Sequence, residues 1–170
     1  YESSDAVEWA YRGRIESTHP FGYMWECPNV IQVDGHDYLV VCPQGLPSEP
    51  TRWQNLYQAG YFPLPQGILA TTQVDETSFV ELDWGFDFYG AVTYPHHDRR
   101  GKEDPTLRRA LGWANFWDYP HNAPTVFSDG YNGDDMIVRD VRLKKGDGEY
   151  YLASSPTKAL RDYVTKTHRL

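Results

Sequence analysis

Apolar and polar positions in this chain alternate in short runs, broken by clusters of Gly, Pro, Asp and Asn. Alternation with a period of two marks strands, and the three-to-four spacing of a helix is nearly absent. The pattern predicts strands over 8–15, 23–33 and 37–42. The last two are joined at Asp34-Gly35, a two-residue hairpin signal. Further strands are expected over 56–62, 78–82, 87–94, 108–117, 136–144 and 149–154. Trp84-Gly85 marks the turn into the strand at 87, and Gly146-Asp147-Gly148 the hairpin into the one at 149. One helix is expected, from Thr157 to Lys166, with Leu160, Tyr163 and Val164 on one side and Pro156 just before it. About nine strands in antiparallel succession make an all-β meander, a pattern that a sandwich, a barrel or propeller blades would satisfy. Tyr94 to Thr106 is polar and charged and reads as an inserted surface loop. Its His96-His97 pair would point to opposite faces and so suits a loop surface better than a shared metal.

The length of 170 residues fits one ordinary domain with a real core. Aromatic residues reach 15% of the chain, which favours a β-protein with aromatic-lined surfaces. The formal net charge of -8 argues against nucleic acid as a partner, because phosphate neutralisation needs clustered Lys and Arg. The nearest basic run, Arg99-Arg100-Gly101-Lys102, is followed at once by Glu103-Asp104. No apolar run has the length of a membrane span, so no membrane partner is expected. The chain opens Tyr-Glu-Ser-Ser-Asp, without an initiator Met or a signal peptide, and is expected to be processed or excised from something longer. Cys27 and Cys42 both sit in apolar, strand-like contexts. Two free buried thiols are expected rather than a disulfide scaffold or a metal site.

Four clusters could carry chemistry. In Trp25-Glu26-Cys27-Pro28-Asn29 a carboxylate stands among apolar neighbours. Low solvent access favours the protonated form of a carboxyl, the setting a general acid needs. The competing reading is a salt-bridged Glu at a strand end. In Phe86-Asp87-Phe88-Tyr89-Gly90, alternation would put Asp87 and Tyr89 on one face and Phe86 and Phe88 on the other. By the same rule Trp113, Asn115 and Trp117 would share a face suited to a sugar, with flat rings on its C–H face and an amide on its hydroxyls. The competing reading for each Trp is core packing. Gln44, Gln54, Asn55 and Gln58 add neutral amides near aromatics.

Taken in order, Met24-Trp25-Glu26-Cys27-Pro28-Asn29, Pro43-Gln44-Gly45, Gln54-Asn55-Leu56-Tyr57-Gln58, Gly85-Phe86-Asp87-Phe88-Tyr89, Leu111-Gly112-Trp113 and Met136-Ile137-Val138-Arg139-Asp140 resemble glycoside hydrolase family 32. That family includes invertases, levanases, inulinases and sucrose-6-phosphate hydrolases. The resemblance implies a five-bladed β-propeller with a funnel-shaped axial site, followed by a β-sandwich. Residues 1–156 would be a partial catalytic propeller lacking the first blades, and 157–170 a linker or short helix toward an absent sandwich. Glu26 would be the general acid/base, with Cys27 beside it helping to set its pKa. Asp87, Tyr89 and Trp113 would line the fructose pocket, with Gln44 and Asn55 near its rim. No cofactor or metal is implied; the partner would be a fructose-containing saccharide. The chain departs from the family in one respect. The nucleophile motif Asn-Asp-Pro-Asn and the Arg-Asp-Pro motif are not in the sequence. The parent is expected to cleave terminal β-fructofuranosyl bonds with retention, while this chain alone would be inactive for want of the nucleophile segment. A fructosyltransferase of the same fold and a non-catalytic fructan-binding module are the alternatives.

Overall fold

The computed structural model describes residues 1–118, 128–131 and 133–168. Its strands are β1 (Glu16–Ser17), β2 (Met24–Val33), β3 (His36–Gln44), β4 (Gly60–Pro63), β5 (Gln73–Val74), β6 (Val80–Glu81), β7 (Tyr89–His97), β8 (Glu103–Trp113), β9 (Arg139–Gly146) and β10 (Glu149–Pro156). They form two four-stranded antiparallel meanders, β2-β3-β4-β6 and β7-β8-β9-β10, and a two-residue parallel pair, β1-β5. The all-β reading holds, and two consecutive antiparallel meanders are what successive propeller blades require.

The long hairpins form where the turn chemistry and the alternation agree. Asp34 and Gly35 both take positive φ, 50° and 78°, which matches the right-handed twist of the flanking strands. Asp147 and Gly148 do the same between β9 and β10. Strand β3 is buried along nearly its whole length because both of its faces are covered. Tyr38, Val40 and Cys42 enter one core cluster, and Leu39 and Val41 enter the other. The first cluster joins the two sheets, bringing Tyr61 against Phe88, Tyr89, Val141 and Leu152. The backbone N–H of Leu152 donates to the Tyr61 hydroxyl at 2.9 Å across that junction. The second cluster, with Phe21, Phe62, Leu64 and Phe79, lies on the far side of the first sheet.

Several expectations need correction. Residues 8–15 form no strand; only an isolated Glu2–Ala10 bridge occurs there. The expected strand at 56–62 is reduced to Gly60–Pro63 and that at 78–82 to Val80–Glu81, because each pairs over only two to four residues. The polar stretch at 94–106 is not a loop. It extends the β7-β8 hairpin, with His96 opposite Asp104 and His97 opposite Glu103, and turns at 98–102. A polar, solvent-facing hairpin has no apolar alternation to reveal it. The tail forms a short 3-10 helix, Lys158–Tyr163, with no buried residue. Tyr163 is exposed, so the apolar side inferred for a longer helix has nothing to pack on.

Candidate active site

Glu26 lies in β2 opposite Cys42 of β3. The ladder then slips between Glu26 and Asn29, so Cys27 and Pro28 form a bulge, with Cys27 at φ 50°. Proline has no N–H to give a ladder and is tolerated at such a bulge, which bends the strand and re-aims its side chains. The Tyr89 hydroxyl, at the start of β7, donates to Glu26 Oε2 at 2.9 Å. The same hydroxyl accepts from Gln44 Nε2 at 3.0 Å, and the Cys42 carbonyl lies 3.3 Å from it. Tyr89 and Gln44 are buried while Glu26 is half-buried, so the chain of bonds runs from the core to an open carboxylate. Burial, reinforced by Glu26, pushes the Tyr89 hydroxyl far above its ordinary pKa. It therefore stays a proton-bearing donor at all working pH values.

Trp113 is the residue directly opposite Tyr89 in the β7-β8 ladder. It stacks on Trp117 with ring centroids 6.2 Å apart and planes at 17°, and Trp117 lies 5.4 Å from the Tyr89 ring. Thus Glu26, Gln44, Tyr89 and Trp113 come together from four strands. Three residues from two of the sequence clusters depart from the alternation rule. Asp87 precedes β7 and takes φ 61°, so it projects from a left-handed turn and not from a strand face. Burial raises its carboxyl pKa. Phe86 is 87% exposed and packs on nothing in the core, whereas Phe88 is buried as expected. Asn115 is buried, and its side-chain oxygen accepts from the Phe116 N–H at 2.8 Å, so this amide serves the backbone.

The turn that carries Asp87 is held from two sides. Asp83 Oδ2 pairs with Arg139 Nη2 at 2.7 Å, and Asp83 Oδ1 accepts from the Gly85 N–H at 2.8 Å. Asn55 donates to the Gly85 carbonyl at 2.9 Å and lines a cavity of about 90 Å3 with Glu81 and Trp84. Asn55 therefore ties two loops together, while Gln44 is bonded directly into the Glu26 chain. Cys27 is exposed, against expectation, because the bulge swings it outward; Cys42 is buried as expected. The Ala91 N–H donates to Cys42 Sγ at 3.3 Å, which stitches β3 to β7 beside Tyr89. Tyr57, whose ring lies 5.4 Å from that of Tyr89, and Tyr23, whose N–H donates to the Gln44 carbonyl, adjoin this constellation. Tyr57 stands in the Gln54–Gln58 motif without being singled out there as a site residue, and Tyr23 carried no signal. Far apart in the chain, they lacked any spacing that would pair them. Among the described residues no group of three or more His, Cys, Asp or Glu side chains is placed to hold a metal ion, and no helix is long and apolar enough to cross a membrane.

Residues 1–156 match the Glycosyl hydrolases family 32 N-terminal domain. The chain belongs to glycosyl hydrolase family 32. Over 168 residues this family 32 chain is 36% identical to a sucrose-6-phosphate hydrolase of Staphylococcus xylosus, covering 97% of this chain and 31% of that protein. It is 33% identical to a levanbiose-producing levanase of Geobacillus stearothermophilus, over all of this chain and 42% of that one. Among solved structures it superimposes on a GH32 β-fructofuranosidase of Bombyx mori, in complex with sucrose, with a TM-score of 0.65 and 30% identity. That match covers 85% of this chain and 28% of the other. The chain thus spans roughly a third of the length of the relatives it matches.

Proposed function

We propose that the protein carrying this chain hydrolyses terminal β-D-fructofuranosyl bonds with retention, and that Glu26 is its general acid/base. The observation that carries this reading is the hydrogen-bonded chain Gln44–Tyr89–Glu26, with Trp113 opposite Tyr89. A carboxyl held at one oxygen by a buried neutral donor keeps its other oxygen free for a substrate proton. In the first step Glu26 protonates the departing glycosidic oxygen; in the second it takes a proton from the attacking water. Trp113 offers a flat wall to the fructosyl ring, and Asp87 a carboxyl for its hydroxyls. Retention needs a second carboxyl about 5–5.5 Å from the acid. By family pattern that carboxyl belongs to the Asn-Asp-Pro-Asn motif, which these 170 residues do not contain.

The test is Glu26→Gln in the full-length protein, assayed by fructose release from sucrose and from levan. The substitution keeps the shape and removes the proton donor, so kcat should fall by about 10²- to 10⁴-fold. The melting temperature should stay close to wild type, since Glu26 is only half-buried. A variant keeping more than half of wild-type kcat would remove Glu26 from this role.

A further inference from the structure

At the far end of β3 from Glu26 the two sheets border a groove of their own. Glu26 stands opposite Cys42, whereas Asp37 lies five residues back along β3, about 17 Å away at the strand rise. The groove is two adjoining cavities of about 350 and 450 Å3, within the size range of ligand pockets. Pro63, Pro65 and Gln66 border both, so the turn at 64–67 stands between them as a shared ridge. That ridge is fixed from both sides. The Leu64 N–H donates to the Asp37 carbonyl and the Gly67 N–H to the Leu64 carbonyl, each at 2.9 Å. The hydroxyl of Thr71, in the larger cavity, donates to the Gly67 carbonyl at 2.7 Å.

In the smaller cavity Asp37 Oδ1 accepts from Gln32 Nε2 at 2.8 Å, while Oδ2 accepts no hydrogen bond among the described residues. Gly67, at φ 77°, leaves that second oxygen uncovered; a Cβ there would stand 3.3 Å from it. His36 Nδ1 faces the Asp34 carbonyl at 3.0 Å, so the neutral ring carries its proton there and keeps Nε2 as an acceptor. Tyr150 enters from the second sheet. Its ring lies 4.6 Å from that of His36, with the Lys145 ammonium 5.3 Å from its centroid, yet it stays 49% exposed. Gln66 is exposed on the ridge, and the larger cavity adds the Thr72 hydroxyl and the Gln73 amide. Open acceptors, amide donors and a hydroxyl beside a held aromatic ring match a ligand whose hydroxyls both donate and accept. Of the lining side chains Asp37 and Asp75 are carboxylates and none is Lys or Arg, which disfavours a phosphorylated ligand. Two cavities joined across one turn suit successive units of a chain.

Resting on the fructan-cleaving reading of the active site, we propose that this groove is a second, non-catalytic saccharide site that holds a neutral β-fructan chain by units on either side of Gln66. Glu26 lies too far away for the held units to be the ones cleaved. The groove tethers polymer and raises its concentration at the active site, and it contributes nothing with sucrose.

Levan is the probe, and the full-length protein is used throughout. In native gels containing levan the Glu26→Gln protein should be retarded, and excess sucrose, competing at the active site, should leave most of that retardation. Tyr150→Ala, Asp37→Ala and Gln66→Ala, each added to Glu26→Gln, should weaken levan binding about three- to tenfold, as expected for a lost ring contact or hydrogen bond. In otherwise wild-type protein the same substitutions should leave kcat/KM on sucrose within about twofold and lower it on levan about threefold, through KM. Gln66 is exposed on a turn, so its variant reports on the groove even if the other two fail to fold. No retardation, retardation abolished by sucrose, retardation unchanged in Gln66→Ala and Tyr150→Ala, or equal losses on sucrose and levan overturns the groove and leaves the Glu26 assignment standing. Wild-type protein that releases fructose from neither sucrose nor levan overturns the catalytic reading, while retardation that depends on Gln66 and Tyr150 would still uphold the site.

Discussion

Cys27 and Cys42 are both neighbours of Glu26, one along the strand and one across the ladder, yet their environments are opposite. The sequence offers the same apolar surroundings for each, and only the bulge separates them. Cys42 is wholly buried, and burial pushes its thiol up from an ordinary 9.0 to about 12. Thiolate is the reactive form, so at pH 8 a thiol reagent should label Cys27 alone, and Cys42 only after unfolding in guanidinium. Rapid labelling of both thiols in native protein would contradict this burial. The same shift makes stability depend on pH. A group whose folded pKa is raised contributes its full share below the unfolded value and loses it as pH rises toward the folded one. For Cys42 that window runs from 9.0 to about 12, and for buried Tyr38 from 10.0 to about 12. The urea midpoint should therefore fall as pH rises above about 9, and fall less steeply in Cys42→Ala; parallel pH profiles would rule out the thiol's contribution.

The hairpins β2-β3 and β9-β10 are legible because turn residues, alternation and register agree. For the short strands β4 and β6 the approximate place is legible but the bounds are not. Residues of β4 become strand where β3 offers a paired edge, and those of β6 where β4 in turn offers one, contacts the local sequence does not encode. Gly112 in β8 illustrates an element set by its neighbour. A Cβ there would meet the Phe88 ring at 2.6 Å, so only glycine lets β8 close over the residue that precedes Tyr89. Gly112→Ala should cost about 1–3 kcal/mol of stability by overpacking, read as a lowered urea midpoint. A midpoint equal to wild type would mean that Phe88 moves freely, and that β8 does not constrain the turn carrying Asp87.

In the whole molecule, protection should follow the two-sheet core. Strand β3 is covered on both faces, whereas residues 1–14 are almost wholly exposed and hold few backbone bonds. Amide exchange followed by mass spectrometry should find β3 and the facing parts of β7 and β8 slowest, and residues 1–14 fastest. Early protection of 1–14 ahead of β3 would place the stable centre elsewhere.

The order of the main strands, the two tight hairpins, the acidic composition and the family were readable from the chain, because each follows from local pattern or from a motif, and those motifs singled out Glu26, Gln44, Tyr89 and Trp113. Their assembly was not. Glu26, Gln44, Tyr89 and Trp113 meet only when the first meander packs against the second. Asp87 left the strand face because a left-handed turn, braced by the Asp83–Arg139 pair, replaced the pleat there. Asn115 turned inward because a buried N–H needed an acceptor. Tyr23 lies with its ring against Gly45, where a Cβ would meet it at 2.4 Å. Alternation fixes which way a side chain points within a strand; where strands stop, slip or pack together is decided by contacts between residues distant in the chain.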